Sequence, residues 1–449
     1  MNPLRTICLM MGVLALACAG SSGPRPMGMH YSRNSIKNSM KPTNWMSMSV
    51  LQSLPSLKDI KLRDLESMST VEGAELMHRL YHLAQASQAL EPSFAPKPSE
   101  IPAFLITPDN QKIDFKLSEL PTIAKQYPHF GEQEVTAFIT GLPSKFECVK
   151  DATRKIVQAY QQRYNRDSES SVHSYAAYDN EKRQRNNEED KYSASASSYA
   201  KNYSNKPTGC LIVINFGDTI SDFEQYVTLD TEKVGKDIGH ILAKVLEENG
   251  DMQDNFHLIG SNAGANIAGA AGRQYTHETS HQLRRITGLD PVKTFAKNPE
   301  ELTGLARGDA EFVDIIHTTA NSMGTATRSG NVDFFPNGPN EAVEGADNII
   351  DSSMLAVRYF AESVVPGNER NFPAVGAESI EEYKSQSGDG RHLYMGINTP
   401  FDAEGDYMLQ VNTKSPYGRS TPAPKQKNQR HHNSFISHKS WKMTSQDYE

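Results

Sequence analysis

The stretch His257-Leu258-Ile259-Gly260-Ser261-Asn262-Ala263-Gly264-Ala265 decides how this chain folds. Its apolar opening, residues 256–259, suits a short buried strand, and the small-residue run at 263–271 suits a closely packed helix. Between them Gly260 and Gly264 flank Asn262 in Gly-x-Xaa-x-Gly spacing. Glycines at those two positions leave room for a tight strand–helix crossing, and the turn lifts its central side chain above the sheet edge. Any Gly-rich strand–helix turn has this form, so the spacing alone does not identify a catalytic elbow. Asn tolerates positive φ better than most residues, so Asn262 can hold the strained turn. Its amide offers no ionisable nucleophile. Ser261 lies one position early and leaves the turn in another direction.

Outward from the turn the same rhythm recurs. Residues 135–139 are a short apolar run bounded by Gly141 and Pro143, followed by the helical face Val149, Ala152, Ile156, Val157, Tyr160 and Tyr164. Residues 211–216 read as a second buried strand. The face Val234, Ile238, Ile241, Leu242, Val245 and Leu246 follows, closed by Asn249-Gly250. Residues 285–287 and 312–316 are further short strands. Alternating strands and helices predict an α/β fold with a mainly parallel sheet and helices on both faces.

The ends and one interior segment break the pattern. Arg5, the apolar run 7–17 and Ala17-Cys18-Ala19 predict a signal peptide at 1–19, so the mature chain is expected to begin near Gly20 and to be secreted. Residues 20–95 divide into a polar arm and a helical segment, 55–92, with Leu76, Leu80 and Leu83 at helical spacing and Pro92 ending it. The α/β domain is expected to span 96–413. Within it, residues 165–207 are rich in Ser, Asn, Glu, Lys and Tyr with almost no aliphatic residues, which predicts a disordered insertion that protease should cut first. Residues 414–449 form a polar tail. The chain is 37% hydrophobic with a net charge of -8, which disfavours a nucleic-acid partner. No later run is long and apolar enough for membrane insertion. Of four cysteines, Cys8 and Cys18 fall in the signal peptide. A secreted chain permits a disulfide between Cys148 and Cys210, and the sequence leaves open whether they meet. Neither has ligand spacing for a metal, and no cofactor motif is present.

Three further motifs follow the turn in order: Arg285-Ile286-Thr287-Gly288-Leu289-Asp290-Pro291, Phe312-Val313-Asp314-Ile315-Ile316-His317-Thr318 and Asp333-Phe334-Phe335-Pro336-Asn337-Gly338. With the elbow they resemble the secreted pancreatic-type lipase family, over roughly residues 101–418 apart from the insertion. The resemblance implies an α/β-hydrolase fold and places that family's triad on Asn262, Asp290 and, by alignment on Arg358-Tyr359-Phe360-Ala361-Glu362-Ser363, on Ser353. The oxyanion-hole motif resembles Thr140-Gly141-Leu142. Nucleophile and base are therefore both replaced, which removes covalent catalysis and its activation. His257 and His317 match family strand positions and are expected in the core. The cleft beside Leu142, Asn262, Asp290 and Ser353 is expected to persist as an apolar binding site.

A lipase-like chain without its serine, with a Tyr-containing polar insertion, resembles the yolk proteins (vitellogenins) of higher flies. Residues 1–6, Ala152-Thr153-Arg154-Lys155, Leu305-Ala306-Arg307-Gly308-Asp309-Ala310 and Gly367-Asn368-Glu369-Arg370-Asn371-Phe372-Pro373 carry that likeness. It implies a nutrient reserve secreted into haemolymph, captured by an oocyte receptor of lipoprotein-receptor type and stored in yolk granules. It also implies assembly with other yolk protein subunits and small apolar cargo, a lipid or an ecdysteroid conjugate. Tyr178 and Tyr192 lie near carboxylates and, with Tyr175, are candidates for sulfation. Asn202-Tyr203-Ser204 is a candidate N-glycosylation site. The competing expectation is an active secreted lipase or esterase with rewired catalytic residues.

Overall fold

Strands of this chain are buried on both faces because helices cover both sides of the sheet, so they read as apolar runs and not as alternation. A computed structural model describes residues 60–86, 92–127, 130–131, 133–164, 208–249, 252–293, 304–320, 322–338, 343–377, 382 and 391–419. The expected signal peptide at 1–19, the expected polar arm, the expected insertion at 165–207 with Tyr175, Tyr178, Tyr192 and Asn202, and the chain beyond 419 lie outside the described residues.

The strands are β1 (Pro102–Ile106), β2 (Lys112–Lys116), β3 (Glu134–Ile139), β4 (Gly209–Ile214), β5 (Phe256–Ser261), β6 (Arg285–Leu289), β7 (Phe312–Ile316), β8 (Val332–Pro336), β9 (Pro373–Gly376), β10 (His392–Tyr394) and β11 (Gly405–Leu409). They form one 11-stranded sheet in the order β10-β9-β11-β8-β7-β6-β5-β3-β4-β1-β2. From β11 through to β4 neighbours run parallel, and both edges finish in antiparallel pairs. The helices are α1 (Thr70–Ala86), α2 (Leu120–Gln126), α3 (Glu147–Tyr164), α4 (Phe223–Val227), α5 (Thr231–Asn249), α6 (Ala263–Thr279) and α7 (Ile349–Val364).

Helices α5 and α6 pack together, as do α3 and α7. Adjacent residues of β6 show that these pairs lie on opposite faces. Ile286 points at Gly272 of α6, whereas Thr287 bonds His257, whose ring meets Phe360 of α7 edge-on. Register then aligns the strand ends. Ile139 pairs with Gly260, Ser261 with Leu289, and Leu289 with Ile316. The residues that follow, Thr140, Asn262, Asp290 and His317, therefore emerge along one carboxyl edge, where open α/β sheets place their sites.

Several boundaries differ from the sequence reading: β6 runs on to Leu289 where 285–287 was expected, and α6 runs to Thr279 where 263–271 was expected. The strand expected to reach Phe216 ends at Ile214, and Phe216 begins a 3-10 turn, Phe216–Thr219. Asn215 donates its N–H to Pro102, and the Gly217 N–H turns to Thr140, so the chain leaves the ladder there. The helical segment 55–92 is, within its described part, a 3-10 turn at Leu62–Glu66 followed by α1. Ser69 and Glu72 form a reciprocal capping box that starts α1 afresh: Glu72 accepts from the Ser69 N–H at 2.9 Å and donates its own N–H to the Ser69 hydroxyl at 3.2 Å.

Beneath β6 and β7 lies a buried polar cluster. Arg285 donates Nε and Nη2 to the two oxygens of Asp314, each at 2.8 Å, and also reaches the carbonyls of Gly396 and Ile397. Thr287 donates its hydroxyl to Asp314 at 2.7 Å, so it accepts from His257 Nε2 at 2.8 Å. Burial holds the His257 imidazole well below its ordinary pKa, with Arg285 pushing the same way. His317 sits between the Thr325 carbonyl and Asp333 and stacks on Phe335. Both histidines are core residues, as expected.

Candidate functional site

The tight turn after β5 is built by what is absent from its glycines. A Cβ on Gly260 would stand 2.2 Å from the Gly264 carbonyl, and one on Gly264 would stand 2.4 Å from the Ile139 carbonyl. Strand and helix therefore approach at backbone distance, and Asn262 between them adopts φ 54°, ψ -122°. The Asn262 N–H still reaches across to Leu289 at 2.9 Å, tying the turn to β6.

Gly141 completes the crossing from the β3 side. A Cβ there would lie 2.2 Å from the Ser261 carbonyl and 2.5 Å from both the Ala263 and Gly264 nitrogens. Those atoms are backbone and cannot rotate away. Gly141→Ala is expected to destabilise the fold by at least about 1–3 kcal/mol, read as a lower midpoint in urea, whereas an unchanged midpoint would mean the crossing is looser than described.

Asn262, Asp290 and Ser353 come together at this edge. All three are 0% exposed. Asn262 uses both ends of its amide. Oδ1 accepts from the Tyr226 hydroxyl and from the Ala263 N–H, each at 2.9 Å. Nδ2 donates to Ser353 Oγ at 3.2 Å and lies 3.1 Å from the Met323 sulfur. Ser353 in turn hydrogen-bonds the Asp290 carboxylate. That carboxylate also accepts from the Thr318 and Thr319 N–H groups at 2.9 and 2.7 Å and from the Thr319 hydroxyl at 2.6 Å. Burial raises the Asp290 pKa above the usual carboxylate range, against the pull of these donors. A hydrogen-bonded chain Asp290–Ser353–Asn262 thus occupies the three triad positions.

Helix α7 explains how Ser353 arrives there. Asn348 caps it by accepting from the Asp351 N–H, so the helix begins before Ser353 and carries that residue inward. Tyr226 comes from α4, which Asp222 caps through the Gln225 N–H. Burial pushes its phenol above the ordinary range. No motif announced Tyr226 or Met323; their contribution depends on packing between elements far apart in sequence.

The arrangement limits the chemistry. An amide nitrogen is not a nucleophile, and Ser353 has no imidazole to offer as base. An oxyanion hole needs free N–H groups aimed at developing charge. The N–H that follows the nucleophile position, that of Ala263, is already spent on Asn262 Oδ1. Tyr226 and Met323 are both buried against Asn262. Among the described residues, no group of three or more His, Cys, Asp and Glu could hold a metal ion.

Cys148 lies on α3 and Cys210 on β4, and both are free thiols, so the disulfide left open by the sequence does not form. Burial pushes the Cys148 thiol up to about 11 and that of Cys210 up to about 12. Neither is an activated thiolate.

The lipase family model matches residues 129–417. Vitellogenin-1 of Ceratitis capitata is 45% identical over 449 residues, 100% of each chain. Vitellogenin-3 of Drosophila melanogaster is 43% identical over 397 residues, covering 88% of this chain and 93% of that protein. Inactive pancreatic lipase-related protein 1 of Homo sapiens is 33% identical over 178 residues, 34% of this chain and 37% of that protein.

Proposed function

The chain belongs to the lipase family and, within it, to the fly vitellogenins, or yolk proteins; from that premise we propose that it is a yolk storage protein with no ester hydrolase activity. The observation that carries the second half is the use of Asn262. Its amide replaces the nucleophile and occupies the Ala263 N–H that would have stabilised an oxyanion. The catalytic edge has become a buried structural joint between β5, β6, α4 and α7.

Secretion, capture by an oocyte receptor of lipoprotein-receptor type and assembly with other yolk subunits complete the proposal. The first is supported by the signal-like opening at 1–19, and the other two by the family. Among the described residues no helix is long and apolar enough to cross a membrane. A cargo of lipid or ecdysteroid conjugate is part of the same proposal and rests on the family alone.

Abundance tests the storage role. Quantitative mass spectrometry of eggs against female tissues is expected to find this chain among the major proteins of yolk and to find it falling as the embryo develops. A trace protein at constant level through embryogenesis would be inconsistent with a nutrient reserve.

A further inference from the structure

The strands that end at the filled triad begin, at their other ends, beside a cavity. Glu134 and Gly209 open β3 and β4, and β3 spans six residues, about 17 Å. The cavity therefore lies across the sheet from Asn262. Its volume is about 280 Å³, near the lower end of the ~300–1,000 Å³ usual for small-ligand sites.

Its lining has two characters. Tyr127, Phe130 and Val135 supply apolar and aromatic wall. Asp109, at the tip of the β1–β2 hairpin, and Glu134 supply carboxylates, and Cys210 of β4 also lines the cavity. Among the described residues that line it, none is a lysine or arginine. Arg163 stands outside the lining, 3.6 Å from Glu134, and offsets that charge. Among the described lining residues, the carboxylate without a cation beside it is then Asp109, which is exposed.

This pairing selects by charge. A fatty-acid anion or a phosphate or sulfate ester would bring like charge against Asp109 with no cation among the described lining residues to receive it. A ring bearing an ammonium group would place the ring against Tyr127 and Phe130 and the cation near Asp109, where ring faces also attract it. We propose that this cavity is a binding site for a small aromatic or alicyclic amine in its cationic form. The site is independent of the lost catalytic edge and of the storage role.

Titration calorimetry of the full-length protein with phenethylamine and with phenylacetate, matched in ring and chain length, tests this. Phenethylamine is expected to bind one-to-one and at least about tenfold more tightly than phenylacetate. Asp109→Asn should abolish that preference, and Asp109→Lys should reverse it. Phe130→Ala should weaken the amine while leaving the sign of the preference intact. Circular dichroism confirms folding of each variant, and the exposed hairpin-tip substitutions touch no core contact. The proposal is overturned by no saturable binding up to about 10 mM, by equal binding of amine and carboxylate, or by a preference that survives Asp109→Lys.

Discussion

Asp314→Ala is expected to destabilise the protein by about 3–5 kcal/mol, because it takes the bidentate carboxylate away from the Arg285 guanidinium inside the sheet. Arg285 Nε and Nη2 would lose both carboxylate oxygens, and the Thr287 hydroxyl would lose its acceptor. The Gly396 and Ile397 carbonyls would remain as acceptors but carry no full charge. The account also predicts the reverse case. A buried ion pair is expensive to desolvate, so replacing both partners with apolar residues of similar volume costs far less than removing one. Arg285→Met combined with Asp314→Leu should therefore recover most of the stability that Asp314→Ala loses. Urea unfolding of the three proteins decides it. A double variant no more stable than the single would show that the pair holds the sheet by attraction and not merely by mutual satisfaction.

The second large effect falls on the former triad. Asn262→Ala orphans the Tyr226 hydroxyl and the Ala263 N–H, both buried, and removes the donor to Ser353. Each orphaned buried group costs about 1–3 kcal/mol, and alanine at φ 54° adds backbone strain. The expected loss is several times that of an ordinary surface substitution. Asn262→Ser should also lose stability and gain no activity, since Ser353 provides no base to activate a serine. A variant at Asn262 as stable as the parent would mean that the amide is a passive replacement and not the joint described here.

Much of this was legible in the sequence because parallel strands buried on both faces are plain apolar runs. The β5–turn–α6 unit, with Gly260 and Gly264 about Asn262, is read correctly from eight or nine residues because glycine is the only residue that fits such a crossing. The placement of Asp290 and Ser353 came from motif order, and the register of β5, β6 and β7 brings them together with Asn262. The outer strands β1, β2, β9, β10 and β11 were not read, and β8 was read only as a motif. They are short and partly exposed, and β2 mixes Lys112, Asp114 and Lys116 with only Phe115 buried. The buried partners of Asn262 could not be read either. Tyr226 reaches Asn262 from a five-residue helix and Met323 from a loop, and nothing in their local sequence states what they pack against.

The central claim is that the former catalytic edge does structural work and no chemistry. Incubation of the purified full-length protein with an active-site-directed alkyl phosphonate, followed by intact-mass and peptide mass spectrometry, tests it most directly. The account predicts no phosphonate on residues 260–264 or on Ser353, and no hydrolysis of short or long acyl esters above the buffer rate. Stoichiometric labelling of Ser261 or Ser353, accompanied by ester turnover that the label abolishes, would contradict it.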